Sequence, residues 1–266
     1  MQITHPQSNS YGLGNEDVFI ALDEMGVQVG EGHIVYQYLP HRSPDRPINL
    51  YFEINSQPVG WYLLFGALVA RARQLRETSP SESARMYTRV KPGDATLLAT
   101  YESMGFYCGQ YESLVRLKKP EGDGHMPMGC QLAPVPLNTV EEQLGLIGRL
   151  QQYDINHIDL AYLQYLCTLP HFHTLALWHG ATLVGEVVVA GSGDSCEVMA
   201  VYIIPAYRRQ GMARMLLHSC MGVMATEGVK QFAAVFASLY TPQLSLARDF
   251  EGTIIETQSY YPELLL

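Results

Sequence analysis

The stretch from Val198 to Gly228 constrains the fold more than any other. An unbroken apolar run, Val198-Met199-Ala200-Val201-Tyr202-Ile203-Ile204, stops at Pro205. Its length and composition suit a buried strand. After the turn Ala206–Gly211, apolar residues recur at Ala213, Leu216, Leu217, Cys220, Val223 and Met224, and Gly228 suits the end of the helix that this spacing predicts. A strand joined to a helix by a basic, glycine-bearing turn makes a site for an anion. The first amides of a helix have no internal partner and lie at the positive end of its dipole, so they can hydrogen-bond a phosphate. Gly211 lets a ligand approach the backbone, Ala213 adds little bulk, and Arg208 and Arg209 add positive charge.

The turn, Arg208-Arg209-Gln210-Gly211-Met212-Ala213, resembles the R/Q-x-x-G-x-G/A loop of the GNAT superfamily of N-acetyltransferases. The lead-in Val201–Tyr207 is similar to that family's strand ending in P-x-Y-R. A six-residue pattern alone is weak, but within strand, turn and helix it is specific. The resemblance implies an α+β fold of mixed, mostly antiparallel sheet flanked by helices. It also implies acetyl-CoA as the cofactor, its pyrophosphate on the amides from Arg209 to Ala213 and its pantetheine along Val201, Tyr202 and Ile203. The implied reaction is direct acetyl transfer to a primary amine of an unidentified acceptor, with a small molecule the first choice; the alternatives are a non-catalytic acetyl-CoA-binding sensor and a structural pseudo-enzyme.

Such transfer needs a base for the ammonium proton and an acid for the departing thiolate. Glu197, at the head of the central strand, is the candidate catalytic base, because some family members place their glutamate there. A solvated strand-end carboxylate is the alternative reading. Glu186, after Gly185 on the preceding strand, is the reserve base. For the acid, the family tyrosine falls on Ala247 in Leu246-Ala247-Arg248-Asp249-Phe250, and Tyr240, Tyr260 and Tyr261 are substitutes among which the residues do not choose.

The first half repeats this order with its site eroded. Strands are expected over Asp17–Leu39 and Ile48–Ile54, then a Ser56–Gly60 turn, a helix from Trp61, a strand at Ala84–Val90, a helix capped by Asp94 and a closing strand. Tyr101-Glu102-Ser103-Met104-Gly105-Phe106 resembles the Y-E-x-x-G-F end of a GNAT domain. Gly60 stands where the second half has Gly211, but Pro58 donates no N–H, Tyr62 replaces the small residue and no Arg is present. These residues predict a degenerate GNAT-like domain over 1–119, a Gly/Pro-rich linker over 120–133 and the coenzyme-binding domain over 134–266. Helices capped at Asn138 or Thr139 and near Ile158–Cys167, then a hairpin about His179-Gly180, complete the second half.

At 266 residues and ~150 per domain, two small domains fit. With 47% hydrophobic and 16% charged residues the chain can bury a core, and no apolar run reaches the ~20 residues of a membrane span. The N-terminus lacks signal-peptide features, and the five cysteines are scattered without a CxxC pair. Both point to a cytoplasmic protein with neither disulfide frame nor zinc site. A formal charge of −9 disfavours nucleic acid as a partner. Either monomer or homodimer fits. His171-Phe172-His173 puts two imidazoles on one strand face, but the sequence shows no Cys or carboxylate beside them, so they read as structural.

Overall fold

The computed structural model describes residues 1–119, 126–238 and 240–266. The chain divides into two compact units, Met1–Tyr111 with Ser259–Leu266, and Glu112–Gln258. The expected domains of 1–119 and 134–266 differ from this division. The closing strand of the first half is hydrogen-bonded into the second sheet, and a short strand near residue 264 is hydrogen-bonded into the first. Residues 120–125 of the expected linker lie outside the described residues, and the rest of it runs into a strand at Cys130–Pro134.

The first unit holds β1 (Gln2–Thr4), β2 (Val18–Leu22), β3 (Gln28–Tyr38), β4 (Ile48–Ser56), α1 (Pro58–Glu77), β5 (Ala84–Tyr87) and α2 (Ala95–Ser103). The following strand β6 (Tyr111–Leu117) enters the other sheet. β4 and β5 are parallel and the other strands antiparallel, in the order β1-β2-β3-β4-β5-β13, where β13 is Glu263–Leu265. Period-two alternation sends Ile34, Leu50, Phe52 and Met86 to one face. There they meet Leu64, Leu68 and Ala72 of α1 and Tyr101 of α2. Asp94 caps α2, accepting from Leu97 N–H at 3.0 Å. The expected turn around Gly60 is already helix, because Pro58 supplies a φ preset for the first helical turn.

Glu263 holds β13 in place. Its carboxylate is 4% exposed and takes Arg46 at 2.5 Å and Arg85 at 3.0 Å, while Arg85 also donates to Asn49 and Gln110. Removing one partner of a buried pair leaves the other charge uncompensated. Glu263→Ala is therefore expected to destabilise the first unit by about 3 kcal/mol. Two-probe denaturant unfolding, with the second unit's transition unmoved, checks it.

The second unit continues with β7 (Cys130–Pro134), α3 (Val140–Gln151), α4 (Leu160–Cys167), β8 (His171–His179), β9 (Thr182–Ser192), β10 (Ser195–Ile203), α5 (Met212–Thr226), β11 (Gln231–Ala237), α6 (Thr241–Asp249) and β12 (Thr253–Tyr260). Its sheet runs β12-β6-β11-β10-β9-β8-β7. Thr139 opens α3 with a reciprocal capping box to Glu142, and Asp159 caps α4. α5 packs on one face of the sheet through Met215, Leu216, Cys220 and Met224. α3 and α4 pack on the other through Leu146, Leu150 and Leu163.

The two units repeat each other with one exchange. In each, a long strand (β4, β10) pairs in parallel with the next (β5, β11) across a helix. The strand that flanks the far side of that pair comes from the other half of the sequence: β13 beside β5, β6 beside β11. Among the described residues no helix is long and apolar enough to cross a membrane.

Candidate active site

The site is built where β10 leaves its neighbour. Parallel pairing with β11 runs from Ser195↔Gln231 to Val198↔Ala234, yet β10 continues to Ile203 and β11 to Ala237. A bulge at Met199 interrupts the pairing of β10 with β9 between Val198 and Ala200. The bulge reverses the strand's faces. Cys196 and Val198 lie in the α5-side core, whereas Ala200 and Tyr202 lie in the α3–α4-side core. Ile204 N–H donates to Val184 O at 2.8 Å, so by alternation the backbone of Tyr202 also turns toward β9. Val201 and Ile203 then turn their backbone groups away from β9, into the gap where the strands part. This orientation separates the three residues expected to line a pantetheine. Two offer backbone groups to the gap, and Tyr202 offers its side chain to a different partner.

At the end of β10 the chain makes one turn of 3-10 helix, Pro205–Tyr207, and then the glycine loop. Arg209 and Gly211 both adopt left-handed backbone, at φ 63° and 76°. Gly211 is the N-cap of α5 and has no side chain to accept from the first amides. The amides of Met212 and Ala213 therefore open the helix without a capping oxygen. Arg208 is folded back, its Nε donating to Ile203 O at 2.9 Å, which ties the loop to the strand end. Arg209 and Gln210 are exposed, and Gln210 donates to Ala206 O at 3.1 Å. Tyr207 stacks obliquely on His179 and its hydroxyl lies 3.1 Å from Nδ1.

Glu197 is half-buried on the α3–α4 side of β10, and burial raises its pKa above the ordinary carboxylate value. Among the described residues its carboxylate has no hydrogen-bond or ion-pair partner, and Tyr162 of α4 lies in its field. Burial without a counter-charge makes this carboxylate a stronger base than a solvated one. Glu186 is the opposite case. It is 1% exposed, accepts both arms of Arg149 at 2.8 and 2.9 Å, and accepts the Tyr202 hydroxyl at 2.6 Å. Tyr202 in turn stacks on Tyr153 at 4.5 Å. Three hydrogen bonds, two of them from a cation, stabilise the ionised form of Glu186 and anchor α3 to the sheet, an arrangement that disfavours the reserve-base role.

Ala247 occupies the position of Tyr101. Gly252 N–H donates to Ala247 O as Phe106 N–H does to Tyr101 O, and Glu251 and Gly105 both take positive φ in the same turn. Ala247 packs against the α5-side core and carries no proton. Tyr260 and Tyr261 belong to the first unit, where their backbones pair with Val90 and Gln110. The first unit's counterpart of the loop has no left-handed pair. Gly60 sits inside α1, where a Cβ would meet Ser56 Oγ at 2.7 Å and Ala21 Cβ at 3.3 Å, so its role is close packing.

Two features escape the sequence. His157, in the loop before α4, places Nε2 2.8 Å from Met199 O at the bulge, and no motif marks it. His171 and His173 do have a carboxylate partner: Glu227, at the end of α5, lies 3.5 Å from His171 Nδ1 and 2.7 Å from His173 Nε2. That correction needs the three-dimensional packing of α5 on β8.

Residues 146–250 match the model of the Acetyltransferase (GNAT) family. A GCN5-related N-acetyltransferase from Sphaerobacter thermophilus shares the fold at 13% identity and a TM-score of 0.53, over 96% of this chain and 82% of that one. A protein of Enterococcus faecalis V583, described as a conserved protein of unknown function and probable N-acyltransferase, gives 11% identity and a TM-score of 0.58, over 92% and 61%. No curated protein matches by sequence. Enzymes of the matched family use acetyl-CoA as cosubstrate for N-acetyl transfer. The parted strands and the uncapped helix both lie inside the segment that matches the GNAT family model, residues 146–250.

Proposed function

We propose that the chain is an acetyl-CoA-dependent N-acetyltransferase that moves the acetyl group directly to a primary amine of a small-molecule acceptor. The observation that carries this is three features in succession along the chain: β10 running on past the end of its pairing with β11 at Val198, the left-handed turn at Arg209 and Gly211, and the start of α5 without a side-chain cap. The amides from Arg209 to Ala213 would hold the pyrophosphate, with Arg209 and Gln210 at the exposed rim. Val201 and the Ile203 N–H would pair with the pantetheine amides, the Ile203 carbonyl already accepting from Arg208. Acetyl-CoA supplies the acetyl group as a thioester whose thiolate departs.

Glu197 takes the proton of the acceptor ammonium, freeing the nitrogen lone pair to form the C–N bond as the C–S bond breaks. Its raised pKa brings it closer to the working pH than an ordinary carboxylate. Ala247 offers no hydroxyl to the leaving sulfur; the proton that the nitrogen sheds on becoming an amide passes to the thiolate or to solvent, and Tyr240 is the substitute acid that stays open. The base is active when ionised, so kcat/KM rises with pH through the raised Glu197 pKa and then levels. Glu197→Gln is expected to lower kcat by about 10²–10⁴ and abolish that limb, with coenzyme affinity unchanged. A pH-rate series on an amine panel checks it. Full activity of the variant across the range would remove Glu197 from the mechanism.

Ala247 favours a second reading, a domain that binds acetyl-CoA without turnover. It predicts tight coenzyme binding with no thiol release against any amine, and the same panel distinguishes the two.

A further inference from the structure

The first unit keeps both its helices on one face of its sheet. The opposite face of β3 and β4 carries His33, paired directly across from Glu53, with Glu31 two residues along on the same side. Tyr11 lies over His33 with ring centroids 4.2 Å apart and planes 27° apart, and its hydroxyl donates to Glu31 at 2.7 Å. Tyr51 donates to Glu53 in the same manner. Gln28 Nε2 reaches Glu31 at 3.5 Å.

The charges in this group do not balance. Neither Glu31 nor Glu53 has a cationic partner among the described residues. Tyrosine hydroxyls orient both carboxylates without neutralising them. His33 is 9% exposed, and its ring nitrogens have no hydrogen-bond partner among the described residues. Burial lowers its pKa despite the two carboxylates, which favours the neutral imidazole, a form with a lone pair to offer. Tyr11 is 40% exposed and Glu53 is exposed, which leaves the group open to a ligand.

We propose that this helix-free face is a binding site for a cationic amine, held by Glu31 and Glu53 against the stacked Tyr11–His33 pair. A primary ammonium has three N–H donors, matched here by two carboxylates and one imidazole nitrogen. The Tyr11 and Tyr51 rings supply aromatic faces on which an alkylammonium stem can rest. A neutral alcohol of the same length would find the carboxylates still uncompensated. An anion would be repelled. The site stands independently of the acetyl-transfer reading, since it uses none of the residues of the glycine loop or of β10.

The test is calorimetric titration of the full chain with 1,4-diaminobutane and n-butylamine, with 1-butanol as the neutral control. Saturable binding of the amines and none of the alcohol is expected. Glu31→Gln combined with Glu53→Gln should weaken it about tenfold or more, and Tyr11→Leu should weaken it several-fold. Gly211→Glu should leave it intact. Hydrogen exchange should slow in β3 and β4 on adding the amine to the native protein, a readout that does not depend on any variant folding. The proposal is overturned by the absence of saturable binding or by binding that survives the double substitution. It is equally overturned if Glu197→Gln abolishes binding, or if the protection appears at β10 rather than at β3 and β4.

Discussion

Replacing Gly211 with Glu is expected to weaken acetyl-CoA binding by about a hundredfold, roughly 3 kcal/mol. Two effects add. Gly211 sits at φ 76°, a backbone region that costs an L-residue roughly 1–2 kcal/mol, so the substitution pulls the loop away from the turn that aims its amides. The new carboxylate then lies at the positive end of α5, filling the place proposed for the pyrophosphate and repelling an anion there. Gly211→Ala separates the two. No atom lies within 4 Å of where its Cβ would stand, so only the backbone strain remains, and affinity should fall by about tenfold or less. Calorimetry on the three proteins gives the order wild type, Ala, Glu. Equal affinity in wild type and Glu variant would show that the loop holds no phosphate.

The second large effect is expected at Arg149. Arg149→Ala strands the Glu186 carboxylate, 1% exposed, with a tyrosine hydroxyl as its remaining partner. The loss is about 3–5 kcal/mol, toward the lower end because the arginine is one-third exposed and water can reach part of the site. At 2–4 °C per kcal/mol this lowers Tm by about 10 °C. Adding Glu186→Gln to it should restore much of the loss, since a neutral amide still accepts from Tyr202 and leaves no charge unpaired. A double-mutant cycle by thermal unfolding reads this as strong non-additivity. Additive losses would mean that the pair contributes nothing as a pair.

Local rules made several elements legible from sequence. The capping box at Thr139 and Glu142, the Asp94 cap and the β8–β9 hairpin each rest on neighbours within a few residues. The sequence also announced a closing strand over Tyr107–Leu117, of which the structure forms Tyr111–Leu117. Which sheet it joins is a different matter, because backbone hydrogen bonds are the same with any partner and nothing in YESLVRL names β11 over β5. The Arg208–Ala213 motif marked the loop, since its requirement for left-handed backbone leaves Gly211 as a signature. It could not show that Arg208 folds back on Ile203, nor that Tyr202 turns its hydroxyl to Glu186. Both depend on side-chain directions set by the bulge at Met199, which shifts every residue after it by one face. Charge pairing across elements was similarly hidden. Glu186 and Glu197 are both strand glutamates, and only the packing of α3 separates a locked carboxylate from an uncompensated one.

The exchange of β6 and β13 bears on how such a chain is made and how it can change. β5 cannot gain its outer neighbour until residues 263–265 have been synthesised, and β6 is complete long before β11 exists to receive it. Each sheet thus depends on contacts of high sequence separation, which slow folding and leave a strand edge exposed while the ribosome is still at work. Neither half can be cut away as a free-standing module. A fragment ending at residue 119 would carry an unpaired β5 edge and an orphaned β6, both prone to associate with other chains. Selection acting on one half must therefore preserve the other, which is a reason for a repeat with an eroded glycine loop to persist.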